Sequence, residues 1–138
     1  MLYVIDTDTI GFVMNDYPAV VQRIHSLTEG DEVVTTIITF GETVSGLLPA
    51  CRRAKNGAER AKAYSDLLLA LNFYRDKDCL PFNDAVIAVF DQLKSKIRIG
   101  TNDIAIAAIT LSVNGVLITR NSVDFERVPN LVIEDWTK

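Results

Sequence analysis

Three short runs of continuous apolar, largely β-branched residues, Leu2–Ile5, Val33–Ile38 and Val116–Thr119, constrain this chain more than any other feature. Runs of that length read as strands buried on both faces, as in the middle of a parallel sheet. Between them the apolar residues recur at helical spacing. Pro18 suits a first helical turn, with Val20, Val21, Ile24 and Leu27 following up to Gly30. Thr39 to about Arg53 and Ala58 to about Arg75 form a helical hairpin broken at Asn56-Gly57. Further helices are expected over Asp84 to about Lys96, Asn102 to Val113 and Ser122 to Arg127, with brief strands at Cys79-Leu80-Pro81 and Leu131–Glu134. Alternating strands and helices predict an α/β fold of three layers, α/β/α, around a mostly parallel sheet. A chain of 138 residues has the size of a single domain, residues 1–138.

Composition narrows the function. The net charge of -4 leaves no global positive field to coat nucleic acid. The N-terminus reaches Asp6 and Asp8 without a basic leader, and the most apolar window, Ile104–Ile118, is interrupted by Thr110, Ser112, Asn114 and Gly115. No membrane span is therefore expected, and a cytoplasmic location fits. Cys51 and Cys79 lack metal or disulfide spacing and read as buried free thiols. The single histidine, His25, lies in an amphipathic helix and reads as a surface or packing residue.

In parallel sheets the ligand crevice lies beyond the carboxyl ends of the strands, and acids gather there in this sequence. Asp6 closes the first strand. Asp8 is the better placed of the two to cap the next helix, Asp6 standing a residue or two early. Glu42 follows the second strand, although Thr39-Phe40-Gly41-Glu42 also matches a capping box. Ser45 and Gly46 share its helix face and leave room beside it. Asp103 opens a helix on the side of Ala107, Ala108 and Leu111, where an acid is unexpected. Asp124 follows the strand ending at Thr119, with Asn121 three residues before it. Two carboxylates about 4 Å apart repel by roughly 4 kcal/mol at an effective dielectric near 20, so a cluster of them calls for protons or cations. Oxygen donors without His or Cys select Mg²⁺ or Mn²⁺, whose chemistry is the activation of water against a phosphodiester.

The segments YVIDTDTI, TTIITFGETVSGL and NDIAIAAITLSVNGVLITRNSVDFERVPNLVIEDW resemble the PIN-domain ribonucleases, and within them the VapC toxins of prokaryotic type II toxin–antitoxin systems. The resemblance runs the length of the chain and is loosest from Leu80 to Thr101. It implies a PIN-like fold and an endoribonuclease dependent on Mg²⁺ or Mn²⁺ that cleaves structured RNA. It further implies a homodimer and a cognate antitoxin, which blocks the active site and through which alone DNA is met. By resemblance Asp6, Glu42 and Asp103 occupy the catalytic, metal-binding positions. The fourth is Asp124 or Asn121, since relatives differ there, with Asp8, Thr119 and Asn121 as supporting residues.

Two other readings fit parts of the chain. Asp6-Thr7-Asp8-Thr9 matches the start of haloacid-dehalogenase-like phosphatases, without their later motifs. A catalytically silent PIN-fold binding module would be marked by loss of the fourth acid at Asn121. Basic residues group at Arg52, Arg53, Lys55, Arg60 and Lys62, as a solvated face or as an arm for RNA phosphates.

Overall fold

A computed structural model describes residues Met1–Lys138. The elements run β1 (Leu2–Ile5), α1 (Thr7–Met14), α2 (Pro18–His25), β2 (Glu32–Thr36), α3 (Ile37–Arg53), α4 (Gly57–Arg75), β3 (Cys79–Leu80), α5 (Asp84–Lys96), α6 (Thr101–Ser112), β4 (Val116–Ile118), α7 (Ser122–Phe125) and β5 (Val132–Glu134). The five strands form one sheet in the order β3-β2-β1-β4-β5, and every pairing is parallel. The expected α/β/α layering is present, with a sheet wholly rather than mostly parallel.

Side chains alternate across the sheet with the strand period of two. Val4, Val34 and Leu117 enter a core shared with Val86 and Leu93 of α5, Ile104, Ile106 and Ile109 of α6 and Phe125. Tyr3, Ile5, Val116 and Ile118 enter the opposite core, with Ile10 of α1, Val20 of α2, Tyr74 of α4 and Trp136. Continuous apolar runs are what a sheet buried on both faces demands.

Several boundaries differ from the sequence expectation. The second strand stops at Thr36 rather than Ile38, because the Thr36 hydroxyl accepts the Thr39 N–H at 3.0 Å and starts α3 there. The helix begun at Pro18 ends at His25, short of Gly30. Cys51 is buried as expected, whereas Cys79, on an edge strand, is only partly covered. His25 is exposed. No helix is long and apolar enough to cross a membrane.

Asn114, with φ 52°, turns the chain out of α6. Gly115 then brings it against β1: a Cβ there would lie 3.0 Å from Val4 Cγ2 and 3.3 Å from the Leu2 carbonyl. That close passage lets β4 pair directly with β1, so the ends of both strands open on the same crevice.

Candidate active site

The strand order reverses about β1, whose neighbours are β2 and β4, and the crevice lies above their carboxyl ends. Asp6 stands there as the first residue beyond β1. Its N–H donates to the Ile118 carbonyl at 3.1 Å and its Oδ1 accepts the Thr9 N–H at 2.9 Å. Asp6, not Asp8, is therefore the N-cap of α1, a correction to the sequence reading; Asp8 lies exposed in the first turn. The Thr9 hydroxyl also donates to Ile118 O, at 3.1 Å, so β1, α1 and the end of β4 are fastened at one point.

Glu42 projects from the second turn of α3. The capping-box reading of Thr39 and Glu42 fails, because Thr36 holds the cap and Thr39 is already inside the helix. Freed of that duty, Glu42 takes the Thr7 hydroxyl on Oε1 and the Asn102 side-chain amide on Oε2, the latter at 3.4 Å. It borders a groove of about 400 Å³ that Gly46 also lines; Ser45 is exposed outside that groove. Asp103 is half-buried at the start of α6, 3.6 Å from the position of a Cβ on Gly100. Ile104 to Thr110 are all buried, so α6 has no single core stripe and Asp103 marks where it emerges. Asp124 Oδ2 accepts the Asn121 side-chain amide at 3.1 Å, and the Thr119 hydroxyl accepts the Asn121 N–H at 2.9 Å. Asn121 precedes α7 without capping it through its side chain.

Sequence reasoning missed Thr7 and Asn102, the two groups that orient Glu42. Each is adjacent in sequence to a residue of interest, but nothing in the pattern assigns it a partner 35 or 60 residues away.

These carboxylates lack cationic partners. The chain's three ion pairs join the N-terminus to Asp31, Arg23 to Glu134 and Lys62 to Asp66. Burial pushes the Asp6 carboxyl up to about 6, with the Asp8 charge adding to it and hydrogen bonds from Thr119 and Thr9 opposing. Asp103 is also raised, by burial first and then by the charges of Glu42, Asp8 and Asp124. That repulsion puts Glu42, Asp103 and Asp124 in one field with Asp8, and Asp8 in turn acts on Asp6. Even so, no three His, Cys, Asp or Glu side chains stand close enough together to hold an ion as they are oriented. The donor chemistry suits a hard divalent cation; the hydrogen bonds of Glu42 and Asp124 hold those side chains on Thr7, Asn102 and Asn121 instead.

A stability signature follows. Because Asp6 binds its proton more tightly in the folded chain, folding is favoured most below its ordinary value of 3.8, and that contribution is lost as pH rises through about 6. The shift corresponds to about 3 kcal/mol. In a metal-free buffer, the urea midpoint difference between wild type and Asp6→Asn should grow in the variant's favour from pH 4 to pH 7. A difference flat across that range would refute the burial cost.

An all-parallel α/β/α sheet with a crevice above the switch in strand order defines a class of α/β proteins that take their ligands at that point. Residues 3–131 match the PIN domain family model, and the chain belongs to that family. It is 32% identical to Ribonuclease VapC1 of Haemophilus influenzae (strain R2866) over 100% of both chains. It is 23% identical to Ribonuclease VapC2 of Rickettsia felis, again over 100% of both. A solved structure of VapBC-1 from nontypeable Haemophilus influenzae superposes with a TM-score of 0.81 at 28% identity, covering 100% of each chain. VapBC2 from Rickettsia felis bound to a promoter DNA fragment shares the fold, with a TM-score of 0.78 at 22% identity over 99% of each chain. The phosphatase alternative is thereby set aside.

Proposed function

We propose that this chain is the ribonuclease toxin of a toxin–antitoxin pair, working as one domain on structured RNA with Mg²⁺ or Mn²⁺ held by Asp6, Glu42, Asp103 and Asp124. The observation that carries the reading is a set of acids at the carboxyl end of the sheet, free of ion pairs, among which Asp103 is raised by burial first and then by the charges of Glu42, Asp8 and Asp124. Likeness to proteins named ribonucleases supports the reaction class. When bound, the cation supplies water activation and charge neutralisation at a phosphoryl oxygen. The chain's own residues prepare for it. The α1 cap fixes Asp6, while Thr7 and Asn102 keep Glu42, and Asn121 keeps Asp124, at the crevice by hydrogen bonds that give way as the carboxylates turn to the ion. Assigning the fourth position to Asp124 follows from charge, since a neutral amide oxygen is a weaker ligand for Mg²⁺ than a carboxylate.

The likeness to VapBC complexes supports an antitoxin as partner. The chain offers it an apolar groove of about 420 Å³ between α3 and α4, lined by Phe40, Val44, Tyr64, Leu67, Leu68 and Leu71 among others. With a net charge of -4, DNA contact is assigned to the antitoxin alone. The chain itself is read as a homodimer in the cytoplasm.

The test is cleavage of a structured RNA with and without chelator. Cleavage should stop in excess EDTA and return with Mg²⁺ or Mn²⁺. Asp124→Asn should lower the rate and weaken metal titration, though less than Asp6→Asn does. Full activity in EDTA would overturn the mechanism, and loss of metal titration in Asn121→Ala but not in Asp124→Asn would move the fourth ligand to Asn121. The silent-module reading draws on Asn121 standing where many relatives carry an acid; it predicts no cleavage under any of these conditions.

A further inference from the structure

The charge of this chain is divided sharply. Arg52 to Lys62 holds five of the fourteen basic residues and one of the eighteen acids, a local charge of +4 that leaves -8 on the remainder. This segment is the tip of the α3–α4 hairpin, and Arg52, Arg53, Lys55, Arg60 and Lys62 are all exposed.

Most of that charge is uncommitted. Lys62 pairs with Asp66 at 2.9 Å. Glu59, the one acid of the tip, accepts the Lys55 backbone N–H at 2.9 Å, while its own N–H is capped by Asn56 at 2.9 Å. It serves the start of α4 rather than neutralising a side chain. Arg52, Arg53, Lys55 and Arg60 form no ion pair. Four free like charges on one helical tip repel one another, and a polyanion relieves that repulsion.

The tip is also aligned with the acids. Glu42 and Arg53 stand eleven residues apart on the same helix, α3, a rise of about 16 Å and a rotation of only about 20° from the same face. Two grooves follow that line, the first enclosed by α1, α3 and α4 and the second lying in the seam between α3 and α4. One is bordered by Glu42, Gly46 and Asp66, the other by Ala50, Arg53, Lys62 and again Asp66. They meet at Asp66, whose charge Lys62 answers. Between the acids and the basic tip the α3 wall carries Gly46, Leu47 and Ala50, two of them small. The apolar groove of Tyr64 and Leu68 is lined by a different set of residues, so the two surfaces are separate.

From this we infer that the α3–α4 hairpin tip is a phosphate-binding arm, which grips the RNA backbone beyond the cleaved bond and feeds the strand along the seam to Glu42. The inference rests on the ribonuclease reading and adds to it the place where substrate is held. Binding here is to backbone charge, without base readout.

The experiment compares the wild type with Arg52→Gln, Arg53→Gln and Arg60→Gln combined, on a labelled RNA hairpin. KM for the hairpin should rise by about tenfold or more at low salt, with kcat at saturating RNA unchanged. In the Asp6→Asn background, the dependence of log affinity on log salt should become shallower by about 2 to 3, since each of three phosphate contacts contributes about 0.7 on a single strand and about 0.9 on a duplex. Restoring the charges as lysines should recover most of the slope. Unchanged KM and slope in a wild type that does cleave would overturn the arm alone. Unchanged RNA affinity with weakened antitoxin binding would show that the tip meets protein instead, which also overturns it. A wild type that neither binds nor cleaves RNA removes the ribonuclease reading and the arm with it.

Discussion

Asp6→Asn is expected to abolish RNA cleavage while making the metal-free protein harder to melt. On the proposed mechanism, removing this carboxylate should cost more than the ~10–100-fold that follows loss of an outer partner of a metal site. Stability should move the other way. Asp6 is 3% exposed, its carboxyl is pushed up to about 6, and no cation pairs with it. Asparagine caps a helix about as well as aspartate, so the bond from the Thr9 N–H survives while the buried charge disappears. Near pH 7 the gain is bounded by about 3 kcal/mol, which at ~2–4 °C per kcal/mol for a chain of this size amounts to several degrees in Tm. Asp6→Ala removes the charge and the cap together and should melt below Asp6→Asn by about 0.5–2 kcal/mol. An inactive Asp6→Asn protein that melts lower than wild type would show that the carboxylate is chiefly a structural cap.

The second large effect concerns the apolar groove. Leu68 and Leu71 are 55% and 52% exposed on α4, and both line the groove. Replacing both with glutamate should leave the fold intact, since exposed substitutions usually change stability by about 0.5 kcal/mol or less. Antitoxin affinity should fall by about 30-fold or more, the scale of losing a central apolar anchor worth ~2 kcal/mol or above. Isothermal titration with the purified antitoxin, and light scattering of the chain alone, separate the two partners. Unaltered antitoxin affinity would place the docking site elsewhere. A monodisperse monomer of wild type at micromolar concentration would remove the homodimer.

The sheet and its helices were legible because burial on both faces leaves a direct mark: β1 and α5 match their sequence boundaries, and β4 ends one residue early. The carboxyl ends of the strands followed from topology, and with them the positions of Asp6, Glu42 and Asp124 in the segments after β1, β2 and β4. Local chemistry was harder to read. Val33 to Ile38 is β-branched throughout, so propensity alone gave no reason to stop at Thr36; the stop comes from a hydroxyl choosing the Thr39 N–H. The same misplacement created the false capping box and hid the freedom of Glu42. Asp6 looked too early for a cap because α1 begins at once, with no intervening loop. Thr7 and Asn102 act across the fold, on a residue of another helix, and such pairings leave no periodicity behind.

The ends of the sheet bear on how such a chain survives apart from its partner. Its outer strands are stubs, β3 with two residues and β5 with three. A stub presents too few open backbone groups to recruit a strand from a neighbouring molecule, which is the first step of fibril growth. Self-association is therefore left to helix faces, where side-chain fit decides the partner. If the antitoxin seats on the α3–α4 groove as proposed, its departure would uncover a groove between helices rather than a template for β-addition.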